Sequence, residues 1–164
     1  MQWLAQREHS RVELRRKLLP HAVAEDELAA ASGAASAEPA PAARVEAVLD
    51  WLEAHGCLSL ERFVESRVHA RSARFGNLRI RHELKQHQVA LPPEAAHALK
   101  ESELQRARAV RERKFAQVPA TATERARQAR FLAGRGFSPE VIARALRTTV
   151  HADDEADGAD SSLG

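Results

Sequence analysis

The chain has 164 residues and a formal net charge of +2, enough for one ordinary domain or a few small units that share a core. Alanine supplies much of the 44% apolar content and aromatics only 4%, with Leu, Arg and Glu abundant, Val and Ile sparse and no Tyr; this excludes a sheet-rich protein and predicts an all-α fold. Cys57 is the single cysteine, which excludes an internal disulfide, and no apolar run is long enough for a membrane span or signal-peptide core, so a cytoplasmic protein that avoids membranes is expected.

In chain order, Ser10 and Glu13 have capping-box spacing ahead of Val12, Leu14 and Leu18 and predict a helix start. Residues 24–43, AEDELAAASGAASAEPAPAA, carry almost no large apolar side chain; they read as a flexible surface insert in which alanine permits some helix. Val45, Val48, Leu49 and Leu52 form a helical stripe that ends near Gly56. Leu60, Phe63, Val64 and Val68 begin the next helix, and Gly76 interrupts before Leu78, Ile80 and Leu84. Pro92 and Pro93 suit a first turn, and Leu104, Ala107, Val110 and Phe115 line a long helix. Thr123 and Ser138-Pro139 are read as starts of two more, around Leu132 and around Val141, Ile142, Ala145 and Leu146. From 148 onward the chain turns acidic, with Asp153, Asp154, Glu155, Asp157 and Asp160, and a disordered tail is expected.

The segments repeat. SRVELRRKL (10–18) placed under GNLRIRHEL (76–84) brings Val12, Leu14 and Leu18 onto Leu78, Ile80 and Leu84. A third copy, ERARQARFL (124–132), puts Leu132 at the last of these positions, and Gly136, Phe137 and Ser138 then follow where the second copy has Gln88, Val89 and Ala90. The expected architecture is three tandem three-helix repeats over 1–56, 57–101 and 102–147, followed by the tail over 148–164. Units this small have too little core to stand alone, so they are expected to stack into an elongated, slightly curved rod.

Enzyme chemistry finds no footing. Gly134 and Gly136 sit in an AGRGF turn without a phosphate-loop pattern. His82 and His87 are five residues apart, on different helix faces, and have no Cys or His cluster around them. Cys57 and His55 are too close in sequence to converge, which leaves Cys57 as a half-buried structural residue. The carboxylates pair with neighbouring cations at helix spacing, as Glu83 with Arg79 and Glu112 with Arg108. No catalytic residue, metal or cofactor is expected.

Charge is more informative. Between Arg67 and Lys85 lie Arg71, Arg74, Arg79 and Arg81 against Glu83 alone, where an ordinary solvated helix face mixes signs. Arg67, Arg71 and Arg74 share one helix face, as do Arg81 and Lys85 on the next. Arg108, Arg111, Arg125, Arg127 and Arg130 add cations further along. Such a surface suits phosphates or clustered carboxylates. Too few aromatics for stacking, and no helix bearing Asn, Gln and Arg in series, limit this to weak nonspecific binding of single- or double-stranded DNA.

REHSRVELRRKL (7–18), CLSLERFVESRVHARSARFGNLRIRHELKQHQV (57–89) and RQARFLAGRGFSPEVIARAL (127–146) resemble the RecX family in order and spacing. The middle block carries most of the likeness: Glu61, Arg62 and Phe63 at a helix start, Arg71 and Arg74, Gly76, then Arg79-Ile80 and Glu83-Leu84. The resemblance implies a monomeric, non-enzymatic regulator that binds the RecA–DNA filament and inhibits its extension, strand exchange, ATPase and co-protease activity. The candidate contacts are Arg71, Arg74, Arg79, Arg81 and Lys85, with Arg127 and Arg130 second; Phe63, Ile80, Leu84, Phe131, Leu132 and Phe137 are expected in packing. The alternatives are a small DNA-binding protein that acts without RecA and a scaffold built on helix stacking alone. Three features depart from the family: the 24–43 insert, Arg67 at a position usually apolar or aromatic, and a start so near the first helix that a turn is expected to be missing at Met1–Gln2.

Overall fold

The computed structural model describes residues 4, 6–33 and 38–147; the expectations for Met1–Gln2, for 34–37 and for the acidic tail lie outside them. The described residues form seven main helices and no strand: α1 (Arg11–Ala31), α2 (Pro41–Ala54), α3 (Leu60–Ser72), α4 (Asn77–Gln86), α5 (Pro93–Glu112), α6 (Ala122–Gly134) and α7 (Pro139–Ala145). Leu4 and Gln6 are also helical, ahead of α1. Among the described residues no helix is long and apolar enough to cross a membrane.

Local chemistry explains most of the boundaries. Ser10, Ser59 and Ser138 each accept a hydrogen bond from the backbone amide three residues on, at the starts of α1, α3 and α7. Pro41 and Pro93 open α2 and α5 from the first turn, where the missing N–H costs nothing. The cap of α6 is Thr121, not Thr123, and it forms a full capping box with Glu124. At α1 the box is half-made, because Glu13 turns instead to Arg7 and His9. The alanine-rich segment after residue 23 extends α1 through Ala31, largely exposed, and Arg44 of α2 ties it down through Asp26 at 2.6 Å and the Ala22 carbonyl at 3.2 Å.

Buried apolar residues gather into three separate clusters in chain order. Leu14, Val45, Leu49, Leu52 and Leu58 centre the first; Phe63, Val64, Ile80, Leu84, Val89 and Leu99 make the second. Ala107, Val110, Leu132, Phe137, Ile142 and Leu146 lie in the third. Helix α5 serves both later units, with Leu99 in the second core and Ala107 in the third. Three small cores in sequence, each needing its neighbour, give an extended stack of three-helix units. Phe115 falls past the end of α5 and meets Phe131 edge-on at 5.3 Å between ring centroids. Val48 faces solvent, and Cys57 is exposed instead of half-buried because it stands in the turn beyond α2.

The repeat holds at the level of backbone conformation. Leu14, Ile80 and Gln128 occupy one position and all are buried; Gln128 Nε2 donates to the Gln117 carbonyl, while its Oε1 is buried without a partner. After α4 and α6, Gln88 (φ 58°) and Gly136 (φ 79°) take the same left-handed conformation. The next residues, Val89 and Phe137, send their amides back to Leu84 and Leu132 and bury their side chains.

Candidate anion-binding cleft at the junction of the second and third units

Gly76, the N-cap of α4, has no side chain to accept a hydrogen bond from the first turn. Those amides find tertiary partners instead. Gly76 donates to the Arg135 carbonyl at 2.9 Å, Leu78 to the Gly136 carbonyl at 3.0 Å, and Asn77 to the buried carboxylate of Glu103 at 3.0 Å. The approach is so close that a Cβ on Gly76 would stand 2.3 Å from the Gly136 oxygen, and one on Gly136 would stand 2.6 Å from the Arg79 Cβ. Glycine at both positions lets the two units meet backbone to backbone. The corresponding contact between the first and second units is made by side chains: the Ser10 hydroxyl lies 2.8 Å from His87 Nδ1, and Arg62 reaches Glu8 at 2.8 Å.

Holding the turn after α6 against the start of α4 creates a cleft of about 610 Å³. Arg67 and Arg71 of α3 and Arg79 of α4 line one side; Ala133, Gly134 and Gly136 line the other. Arg71 Nε donates to Glu83 at 2.8 Å, and Arg79 Nε lies 3.6 Å from the second oxygen of the same carboxylate. The half-buried Phe75 ring lies under the Arg79 guanidinium at 4.8 Å, with Arg71 at 5.8 Å and Arg135 at 6.0 Å. Arg67 rests over Phe63 at 5.3 Å. Its burial, and then the charge of Arg71, lower the pKa of Arg67 from its ordinary value. Burial, and then Arg67, likewise lower that of His87.

Arg71 and Arg79 therefore share the Glu83 carboxylate while Arg67 stands beside them, leaving the cleft cationic and rich in N–H donors. Among the described residues no group of three His, Cys, Asp or Glu side chains could hold a metal ion.

The candidate contacts do not all meet here. On α4, Arg79 shares a face with His82, Glu83 and Gln86, all lining the cleft, whereas Arg81 and Lys85 point to the opposite, exposed side. Arg74 is exposed beside a smaller hollow of about 200 Å³ that Arg113, Lys114 and Arg135 also line. Arg127 lies over Phe115 at 5.7 Å, and Arg130 edges an apolar groove that includes Leu78, Phe137, Ile142 and Leu146. His82 and His87 reach the same cleft in spite of their spacing, because His87 stands at the C-cap of α4, off the regular helix.

Several other arginines serve the fold. Arg106 donates to the carbonyls of Ser72, Phe75 and Leu99 and to Asn77 Oδ1, closing the C-terminus of α3 against α5. Arg111 is buried and reaches the Ala145 carbonyl at 2.7 Å, while Arg113 reaches that of Ala73 at 2.6 Å. Glu112 pairs with Arg111 and not with Arg108. The sequence puts Arg67 on the cationic face but not among the candidate contacts, and Arg135, which lines the smaller hollow, in neither. The signal for Arg135 was its place in the AGRGF turn, directly before the residue that aligns with Gln88.

Comparison with known proteins agrees with this architecture. Residues 101–146 match the family model described as RecX, third three-helix domain. Over 147 residues the chain is 45% identical to a regulatory protein RecX of Ralstonia nicotianae, covering 88% of this chain and 82% of that protein. Over 156 residues it is 46% identical to one of Leptothrix cholodnii, covering 94% and 88%. A third, from Herbaspirillum seropedicae, is 43% identical over 152 residues, covering 90% and 86%. Matches at this level that run through all three stacked units show that the chain belongs to the RecX family of regulatory proteins.

Proposed function

We propose that this chain is a monomeric cytoplasmic regulator that binds the RecA–DNA filament and inhibits its extension, and with it strand exchange, ATP hydrolysis and co-protease activity. Family membership directs the reading to RecA. The observation that carries it on this molecule is the gathering of Arg67, Arg71 and Arg79 in one cleft at a junction between units, with Glu83 pairing to Arg71 and Arg79. A filament offers both acidic protein surface and DNA phosphate to such a face, and charge-assisted bonds to either are the strong kind. We take the units as residues 1–56, 57–101 and 102–147. Arg71, Arg74, Arg79, Arg81 and Lys85 are the contacts, with Arg127 and Arg130 as outlying ones; the spread of these cations suits an extended partner.

The test is single-stranded-DNA-dependent ATP hydrolysis by RecA with this protein titrated in well below equimolar amounts. Loss of turnover at substoichiometric levels is expected, because a few molecules acting on filament growth affect many subunits. The triple variant Arg71→Glu, Arg79→Glu, Arg81→Glu, with its helical circular dichroism unchanged, should lose the effect. Retained inhibition by that variant rejects the contact set. No inhibition by the parent protein, even in excess and with DNA binding verified, rejects the RecA reading in favour of a RecA-independent DNA binder.

A further inference from the structure

Two apolar grooves of the molecule carry rims of opposite charge. The groove between α3 and α5, about 700 Å³, has Val64, Val68 and Leu99 in its lining and Glu61, Glu65 and Glu94 on its rim; the Arg106 it includes is taken up by carbonyls. The groove between α6 and α7, about 720 Å³, has Leu78, Phe137, Ile142 and Leu146 in its lining. Its charged residues are all arginines, Arg125, Arg130 and Arg147. All three are exposed, and among the described residues none is paired with a carboxylate. Leu78 is left 54% exposed beside them. An apolar surface open to water and rimmed by one sign of charge suits an occupant of the other sign.

The chain itself supplies one. Arg147 stands on the edge of the groove, and the residues that follow it, 148–164, include Asp153, Asp154, Glu155, Asp157 and Asp160 and no Lys or Arg. Val150 and Ala152 precede these acids and offer apolar side chains. About 20 Å of extended chain is enough to bring the first acids from Arg147 to any part of the groove. A segment tethered this closely is presented at an effective concentration on the order of mM, so contacts too weak to join two molecules suffice. The glutamate-rimmed groove would repel the same segment. We propose that residues 150–160 lie in the α6–α7 groove with their carboxylates paired to Arg125, Arg130 and Arg147, an intrachain cover that salt or a competing polyanion displaces. The cover keeps Arg130 out of reach in the free chain. What this means for filament binding rests on the function proposed above; the contact itself needs no RecA.

The test uses the full chain without RecA and compares the parent with the variant Asp153→Asn, Asp154→Asn, Glu155→Gln, Asp157→Asn, Asp160→Asn. Reactivity of each arginine toward phenylglyoxal, read by peptide mass spectrometry, reports the cover. With the groove occupied about four-fifths of the time, Arg125 and Arg130 should react about fivefold faster in the variant. Arg81, exposed on the outer side of α4, should react equally in both. Salt at about 1 M, where the Debye length is about 3 Å, should release the same two arginines in the parent. A second readout comes from the two isoleucines of the chain, Ile142 in the groove and Ile80 in the second core. Neutralising the acids should move the methyl resonance of Ile142 and leave that of Ile80 in place.

Equal Arg125 and Arg130 rates in parent and variant, or an Ile142 resonance that does not respond, overturns the proposal. Protection found at Arg74 or Arg79 in their place overturns the groove as the seat of the segment. Protection that grows with protein concentration assigns the cover to a second copy and overturns the intrachain contact. Movement of both isoleucine resonances marks a change in the cores and not the loss of a cover, and overturns it as well.

Discussion

The first and second units both carry many arginines, yet they use them in opposite ways. In the first, Arg11 of α1 is met by Glu46, Asp50 and Glu53 of α2 at 2.6, 2.6 and 2.8 Å; Arg15 also reaches Glu46, and Arg44 reaches Asp26. The effect registers on both sides: hydrogen bonds from Arg11, then Arg15, hold the Glu46 carboxyl below its ordinary range, and bonds to Glu46, then Asp50, raise the Arg11 pKa. In the second, Arg71 and Arg79 share Glu83, and Arg67 beside them bonds no carboxylate. Arginine content therefore does not decide which cations stay available; the number of carboxylates that packing brings to them does. The joints differ as well, glycine backbone on one side of the middle unit and side chains on the other.

The largest effect is expected from Gly76→Ala, whose new Cβ would stand 2.3 Å from backbone atoms of Gly136 and Phe137. Either the units separate, losing the Gly76 and Leu78 hydrogen bonds, or the turn shifts; a loss of about 3 kcal/mol is expected from overpacking and broken bonds together. Chemical denaturation read at native Trp51, which reports the first unit, and amide exchange at Leu78 should diverge in this variant. If they instead move together, the joint is no weaker than the cores.

Arg106→Ala should come next. It strips the Ser72, Phe75 and Leu99 carbonyls of a partly buried donor, for which about 2 kcal/mol is typical. Thermal melting checks the size, and a change under about half a kcal/mol would mean water replaces the guanidinium. The smallest effect belongs to Arg11→Ala, despite its three ion pairs. Its partners are largely solvated, so about 0–1 kcal/mol is expected, falling further with added salt. A larger loss would show that the first unit depends on its charges as the second does on its glycine joint.

Helix starts were legible where one residue suffices to make them. Ser138-Pro139 and Pro93 act through their own side chains or fixed φ, and both open helices. Thr121 was legible too, since Glu124 three residues on completes a capping box, yet Thr123 was read in its place. The alignment of Gln88 with Gly136 carried more than its few matching side chains suggested, because both residues are left-handed. The candidate site was legible as a region of like charge, but not as a set of residues. Arg81 and Arg79 are two apart and face opposite ways, and Arg106 looks like any exposed cation until the carbonyls it meets are in place.

Helical class, three-fold repetition and the concentration of positive charge after Arg67 are readable along the chain alone. Composition, period and turn chemistry act within a few residues and need no distant partner. Which cations remain available depends on packing. The partners that neutralise Arg11 and occupy Arg106, and the turn that walls the cleft beside Arg79, lie tens of residues away along the chain. Electrostatic interaction depends on distance in space and on burial, and both are set by packing.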